Sequence, residues 1–472
     1  MASLREMTNA CNRESKSRIE STVKLNRLFL IGLATLLALN FGRGIQAAVP
    51  PNILFLLTDD MGYGDVGCYG GNFVPTPNID RLAKEGTKFT QFYAASPVCS
   101  PSRAGFLTGM YPARWRITNY LQTRAGNHAC DQADFLDPHA PSIARTLKEA
   151  GYVTGHFGKW HMGGGRDVTN APLFREYGFD EHAGTYESPE PDPMITATNW
   201  IWSAEDKVKR WDRSAYFVDR TLDFLRRHKG QPCYVNLWPD DVHTPWVPRE
   251  SDLTLRRREN DDSAPNFMAV LAEYDKQVGR LIAGLKELGI EENTILIFSS
   301  DNGPLPTFQG KRAGGLRGSK ISLYEGGTRM PLIVRWPGHV PAGRVDDRTV
   351  MHGVDFFPMF CKLAGTPMPA NVAFDGQDLS KSFFGKDLAR KNALFWEYGR
   401  NAAFGYPKGR DRSPNVAVRE GKWKLLVNAD GSNLELYDLQ ADRNETQNVA
   451  EKNPKVAKRL KETALQWRKS LP

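Results

Sequence analysis

The chain has 472 residues, 40% hydrophobic and 25% charged, which is enough apolar material for a large core and excludes a disordered chain, and its length allows two or three domains. The formal net charge of +8 suits a polyanionic partner. Its basic residues are spread along the chain, and without a dense Lys/Arg run interleaved with aromatics no nucleic-acid groove is expected.

Arg13, Lys16, Arg18, Lys24 and Arg27 precede the apolar run Leu28 to Leu39, and Ala47 and Ala48 follow it. This is the layout of a secretory signal peptide over residues 1–48, cleaved near Ala48, and it implies export to the periplasm or the medium. The apolar run is about 12 residues, short of the ~20 that span a bilayer, so no stable membrane span is expected. Glu6, Glu14 and Glu20 in the long basic region leave initiation nearer Met7 open. Without the leader and its Cys11, the cysteines are Cys68, Cys99, Cys130, Cys233 and Cys361, an odd number that leaves one over. Cys233 and Cys361 fall on apolar segments and read as core thiols. A Cys68–Cys130 disulfide has no spacing rule behind it.

Asn52 to Thr58 is a continuous apolar run of strand length, as in a central parallel strand covered on both faces. It runs straight into Asp59-Asp60. Sites in open α/β sheets lie beyond the carboxyl ends of the strands, and adjacent carboxylates repel unless a cation absorbs the charge, so a hard divalent metal is expected there. A short helix from Pro77 to Glu85 and a strand from Thr87 to Tyr93 lead to Cys99-Ser100-Pro101-Ser102-Arg103. Pro101 suits a first helical turn and Gly109 a stop, which sets Cys99 at the positive end of a helix dipole, a setting for an anionic group. Read on its own, that thiol is open to two meanings, a low-pKa redox cysteine or an inert cap.

A helix over Ser142 to Ala150 and a strand over Tyr152 to Phe157 deliver Gly158-Lys159-Trp160-His161, where Lys159 and His161 share a face if the segment is extended. From Glu187 to Arg213 the pattern breaks into an irregular excursion carrying Trp200, Trp202 and Trp211, either a lid or a loop packed by its own aromatics. A helix from Tyr216 to His228 and a strand from Cys233 to Trp238 end at Asp240-Asp241-Val242-His243, which puts His243 beyond a strand end. The longest amphipathic helix, Asn266 to Leu288, precedes the strand Thr294 to Phe298, which runs into Asp301-Asn302 and mirrors Asp59-Asp60. The Gly- and Lys/Arg-rich stretch 310–327 carries Lys320 and could wrap an oxyanion. Past a strand at Met330 to Val334 and a helix at Val354 to Leu363, the texture changes near residue 385. Short strands at Ala393–Tyr398, Asn415–Arg419, Trp423–Val427 and Leu434–Tyr437 and a helix at Pro454–Ser470 follow. The expected fold is α/β: a large mixed, mostly parallel sheet sandwiched by helices over 49–385, with a smaller α+β domain on a short antiparallel sheet over 386–472.

Cys-Ser-Pro-Ser-Arg at 99–103 with Thr-Gly at 108–109 resembles the signature of the type I sulfatases. Asp59-Asp60, Gly158-Lys159-Trp160-His161, His243-Thr244-Pro245, Asp301-Asn302-Gly303 and Lys320 before Tyr324-Glu325-Gly326-Gly327 match the same pattern with no departure at an active-site position. The resemblance spans about residues 50 to 470 and is nearest the arylsulfatase and N-acetylgalactosamine-6-sulfatase branch of the alkaline phosphatase superfamily. It implies that a maturation enzyme oxidises Cys99 to formylglycine, whose hydrate attacks sulfur. It further implies Ca²⁺ held by Asp59, Asp60, Asp301, Asn302 and an oxygen of the modified Cys99; all-oxygen ligation also admits Mg²⁺. On the same resemblance Asp301 takes the proton of the attacking hydroxyl, and Lys159 and Lys320 offset charge on the sulfuryl oxygens. His243, with Lys320, serves the departing alcohol, His161 takes the proton that expels sulfate, and Arg103 holds the hydrate and its loop. The implied substrate is a sulfated carbohydrate or aryl sulfate. The alternatives are a phosphonate monoester or phosphodiester hydrolase of the same superfamily and an inert sulfated-glycan binder; a thiol redox protein lacks a Cys-x-x-Cys partner.

Overall fold

The computed structural model describes residues 50–252, 263–401 and 405–472, so the expected leader and its cleavage near Ala48 lie outside the described residues. Among those residues the main sheet has nine strands in the order β4-β3-β5-β1-β6-β7-β2-β8, with β9 also on β2. The strands are β1 (Asn52–Thr58), β2 (Thr87–Tyr93), β3 (Val153–Gly158), β4 (Glu181–Gly184), β5 (Cys233–Trp238), β6 (Thr294–Ser300), β7 (Arg329–Arg335), β8 (Arg344–Asp346) and β9 (Met351–His352). Neighbours are parallel except at β7, which is antiparallel to both β6 and β2. Antiparallel β7 therefore leaves the carboxyl ends of β1, β3, β5, β6 and β2 on one edge, where the chemistry-bearing loops gather.

Every residue of β1 is buried because its two faces meet two cores. Ile53, Phe55 and Leu57 join one apolar cluster while Leu54 and Leu56 join the other, and β6 divides likewise, Ile295 and Ile297 against Leu296 and Phe298. Alternation of side chains at period two turns a uniformly apolar run into a central strand. On the first face Phe55 meets Phe106, Trp238 and Phe356 edge-on at centroid distances of 5.3, 5.9 and 5.1 Å. Helices α1 (Pro77–Glu85), α5 (Arg213–Arg227) and α6 (Ala264–Glu287) cover the second face; α2 (Cys99–Thr108), α4 (Ile143–Glu149) and α8 (Phe356–Ala364) pack on the first, and α3 (Arg124–Ala129) and α7 (Glu325–Thr328) are short.

A four-stranded antiparallel sheet, β10 (Leu394–Glu397), β11 (Val416–Glu420), β12 (Trp423–Val427) and β13 (Glu435–Asp438), carries the C-terminal helix α9 (Pro454–Lys469) on one face. The expected elements recur within a few residues; strand β4 and helix α3 had no periodicity to announce them, and α5 begins at Arg213 rather than Tyr216. All five described cysteines are free, so no Cys68–Cys130 bridge forms.

Between the two sheets lies a buried charge cluster. Lys424 Nζ sits 2.9 Å from Glu325 Oε1 and 3.0 Å from Glu445 Oε1, and Glu445 Oε2 accepts a hydrogen bond from the Glu325 backbone N–H at 2.6 Å. Burial, with Glu325 adjacent, pushes Glu445 from its ordinary 4.5 up to about 7 although Lys424 opposes this. A folded-state carboxyl with a raised pKa binds its proton more tightly than the unfolded chain does. Its contribution is thus present at pH below 4.5 and is lost as pH rises from 4.5 through about 7. Glu445→Gln, neutral throughout, is expected to flatten the decline of the urea midpoint across that window; an unchanged slope would remove Glu445 as its cause.

Candidate active site

At the exit of β1 the chain turns through Asp60, whose φ of 57° is a conformation non-glycine residues seldom adopt. The turn aims both carboxylates inward, and neither is exposed. Backbone hydrogen bonds lock the strand tips together: Asp59 N–H donates to Asp241 O at 3.0 Å and Asp301 N–H to Thr58 O at 3.1 Å. Asp60 N–H donates to Asp301 Oδ1 at 3.2 Å. The Asp59-Asp60 and Asp301-Asn302 pairs read from the sequence therefore share one buried corner.

Cys99 is the first residue of α2, a helix buried along all ten of its residues. Such burial needs small side chains: a Cβ on Gly105 would stand 2.4 Å from Ala95 Cβ. Four residues on, Arg103 is wholly buried and donates from Nε and Nη2 to Asp301 Oδ2 at 3.0 and 2.7 Å and from Nη1 to Lys159 O at 2.7 Å. It thus ties the Cys99 helix to the tips of both β6 and β3. Lys159 Nζ is 2.7 Å from Asp59 Oδ2 and 3.6 Å from Cys99 Sγ. Lys320 Nζ is 2.7 Å from Asp60 Oδ2, held there because Lys320 N–H donates to Pro304 O and Ile321 N–H to Pro97 O. In the same Gly-rich stretch Arg317 turns away from the site, stacking 3.7 Å from the Tyr324 ring and bonding Tyr437 Oη.

The expectation that Lys159 and His161 share a face through an extended segment gives way to a turn, with His161 at a φ of 55°. Both nonetheless line one cavity. His161 Nε2 faces Leu121 O at 3.0 Å and Glu187 Oε1 at 3.3 Å, while its buried Nδ1 has no hydrogen-bond partner. Burial drives its pKa down to about 3 despite Glu187, so the ring is neutral and Nδ1 is a free proton acceptor. His243 lies 3.6 Å from Asp60 Oδ2 through Nε2, and burial with Lys320 nearby lowers it as well.

Burial pushes the Cys99 thiol up to about 12, despite Lys159 and Lys320. Burial of this kind disfavours the thiolate and so argues against a free redox cysteine. Among the carboxylates, Lys159, His243 and Arg103 overcome the cost of burial and hold Asp59 far below the usual range. Asp301 goes the other way: burial, with Asp59 and Asp60 beside it, outweighs Arg103 and raises it to about 7.

These residues fit a hard cation. Asp59 Oδ1 and Asn302 Oδ1 are buried oxygens with no hydrogen-bond donor. Ligand atoms of Asp59, Cys99 and Asp301, and of Asp59, Asp60 and His243, form two groups whose members lie within 4.8 Å of one another. A divalent ion at that corner satisfies the orphaned oxygens and lets the third carboxyl ionise.

The cavity measures about 200 Å³ and is lined by Asp59, Cys99, Lys159, His161, His243 and Lys320 at its base. Its outer wall holds Tyr120, Arg166, Tyr186, Glu187 and Trp200, which the sequence reading did not assign to the site. Glu187 is held down to about 2, because His161, Lys159 and Arg166 outweigh burial, and it bonds Arg166 Nη2 at 2.8 Å. The one available signal was the tryptophan-rich excursion, of which Glu187 is the first residue. Of its three tryptophans only Trp200, 55% exposed, reaches the cavity.

The sequence profile of the family described as Sulfatase matches residues 51–366, and that described as N-sulphoglucosamine sulphohydrolase, C-terminal, matches residues 319–470. The chain is 30% identical to an N-acetylgalactosamine-6-O-sulfatase of Bacteroides thetaiotaomicron over 88% of this chain and 93% of that protein. It is also 30% identical to human arylsulfatase A, over 92% and 91% of the two chains. The solved structure described as Ps i-CgsB in complex with k-i-k-neocarrahexaose superposes with a TM-score of 0.72 at 28% identity, covering 87% of this chain and 91% of that one. On the extent of these matches the chain belongs to the sulfatase family, and is a sulfatase with the alkaline phosphatase-like fold.

Proposed function

We propose that this sulfatase hydrolyses a sulfate ester of a carbohydrate, or of an aryl alcohol, with a formylglycine made from Cys99 by a maturation enzyme as its nucleophile. The observation that carries the reading is the convergence of Lys159, His161, His243 and Lys320 around Cys99 in one small cavity, against the buried corner of Asp59, Asp60, Asp301 and Asn302. Asp59, Asp60, Asp301, Asn302 and the residue at 99 would hold Ca²⁺, with Mg²⁺ the alternative. Bound there, the ion supplies Lewis-acid polarisation of the sulfuryl oxygens and acidifies the attacking hydroxyl.

The remaining work falls to the chain's own groups. Lys159 and Lys320 present fixed ammonium charges to the sulfuryl oxygens, preorganised by their 2.7 Å contacts to Asp59 and Asp60. Asp301, the third carboxyl of the corner, accepts the proton of the attacking hydroxyl, and His243 serves the leaving alcohol as it departs. The unpartnered Nδ1 of His161 accepts the proton whose removal expels sulfate. Arg103 orients this set by gripping Asp301 and the Lys159 carbonyl. Two units serve the function in this reading, a catalytic domain over 49–385 and a C-terminal unit over 386–472, and the 1–48 leader directs export.

A carbohydrate substrate is supported by the relative named N-acetylgalactosamine-6-O-sulfatase and by the neocarrahexaose in the Ps i-CgsB structure. The exposed Trp200 at the cavity mouth offers an apolar face to a pyranose ring. A panel of desulfation assays on glycosaminoglycan and algal oligosaccharides, beside 4-nitrophenyl sulfate and the matching phosphate esters, tests it. Sulfate release from at least one defined oligosaccharide, at a kcat/KM above that for every phosphate ester, is expected. Preferred cleavage of phosphate or phosphonate esters would overturn it.

A further inference from the structure

Where β2 and the loop after β8 meet the C-terminal sheet, a cavity of about 800 Å³ opens that shares no lining residue with the active-site cavity. Its walls come from segment 347–350 of the larger unit and from segment 389–392, the β11–β12 turn and segment 439–443 of the smaller. Arg329, Arg390 and Arg419 are among its buried or nearly buried lining groups. Arg348, Lys391, Lys422 and Arg443 are exposed around it. Asp347 and Glu420 are its acidic residues, and Glu420 is engaged by Arg459 at 2.8 Å.

Several of these cations have a carboxylate of their own: Arg390 has Asp355, Arg329 has Glu325, Arg348 has Asp387 and Lys422 has Asp438. Three do not. Lys391 and Arg443 meet no carboxylate among the described residues. Arg419, 5% exposed, lies 4.8 Å over the Tyr93 ring and donates to Gln91 Oε1 at 2.6 Å and Gly421 O at 3.2 Å, while its buried Nη1 has no hydrogen-bond partner. Glu325 feels the Arg419 charge but makes no ion pair with it, and a buried guanidinium with an unsatisfied N–H is costly unless an acceptor completes it.

We propose that this cleft is a second binding site for a sulfated polysaccharide, held by Arg419, Lys391 and Arg443 remote from the reacting ester. Guanidinium forks match the oxygen geometry of sulfate and carboxylate groups. The cleft lining contains no aromatic side chain, so it lacks the stacking platform that single-stranded nucleic acids use. An anchor of this kind keeps a polymer near the active site between turnovers and raises the effective concentration of its next ester. The proposal rests on the reading of the substrate as a sulfated carbohydrate.

The test uses the full chain carrying Cys99→Ala and isothermal titration with heparin, chondroitin sulfate and carrageenan oligosaccharides. Adding Lys391→Glu with Arg443→Glu is expected to weaken binding of at least one of these about tenfold at low salt and to shallow its salt dependence. In the active enzyme the same pair raises KM for the polymer while 4-nitrophenyl sulfate turnover and Tm stay unchanged. Affinity indifferent to the double substitution, or lost equally for single-stranded DNA, overturns the site. Charge-dependent glycan binding by an enzyme that cleaves only aryl sulfates would leave the cleft standing and sink the substrate reading. Glycan turnover with binding indifferent to Lys391 and Arg443 would do the reverse.

Discussion

Cys99→Ala is expected to lower sulfate-ester turnover by about 10⁴-fold or more while the protein stays folded. The side chain removed is small and sits at the first position of a helix whose anchoring does not depend on it. Ser102 Oγ bonds Ser96 O, Ser100 Oγ accepts from Leu121 N–H, and Arg103 grips Asp301. Sγ itself makes one polar contact, to Lys159 Nζ at 3.6 Å. Near-native circular dichroism and Tm with activity at the detection limit is the outcome to look for. Residual turnover near wild type would mean that the reacting group is elsewhere in the cavity.

Lys159→Ala should cost about 10²–10³-fold in kcat, the usual loss when one preorganised charge is taken from a developing anion. A second effect follows from the same contact. Asp59 is held far below the usual carboxylate range against the cost of its burial, and Lys159 is foremost among the groups that hold it there. Removing the ammonium raises Asp59's pKa toward or above its ordinary value, so protonation on the acid side begins at higher pH. The acid limb of the kcat/KM profile therefore moves upward in Lys159→Ala and is restored in part by Lys159→Arg. A fall in kcat with an unmoved acid limb would mean that groups other than Lys159 hold Asp59 down.

Much of this site was legible before any coordinates because strand ends advertise themselves. Asn52 to Thr58 and Thr294 to Phe298 are apolar runs that lead into Asp59-Asp60 and Asp301-Asn302, and a central strand buried on both faces has no other way to end than in a loop at the sheet edge. Lys320 and His243 were legible through the family pattern alone, since neither a Gly-rich loop nor a lone histidine fixes a direction. That Arg317 leaves the site while Lys320 enters it depends on Tyr324, just before α7, and on Tyr437 of β13, which are far apart in the chain. The outer wall was illegible for a related reason. Glu187, Arg166 and Trp200 come from irregular chain with no period to read, and they meet the cavity only through long-range packing. The positive φ values of Asp60 and His161, which turn their side chains inward, leave no compositional mark on non-glycine residues.

The basic cleft was hidden differently. Its cations come from β7, β11 and separate loops between Arg329 and Arg443, so no local run of Lys and Arg announces it, and an overall charge of +8 gave no location. Spread along the chain, those residues resembled a solvated surface; folding gathers them at the seam between the two sheets.

The most direct test of the account is mass spectrometry of the peptide containing Cys99, taken from preparations made with and without the maturation enzyme and paired with specific activity on one sulfate ester. The account predicts an aldehyde at residue 99 whose fraction rises in proportion to activity, with fully thiol preparations inactive. A preparation with stoichiometric unmodified thiol and full activity would contradict it.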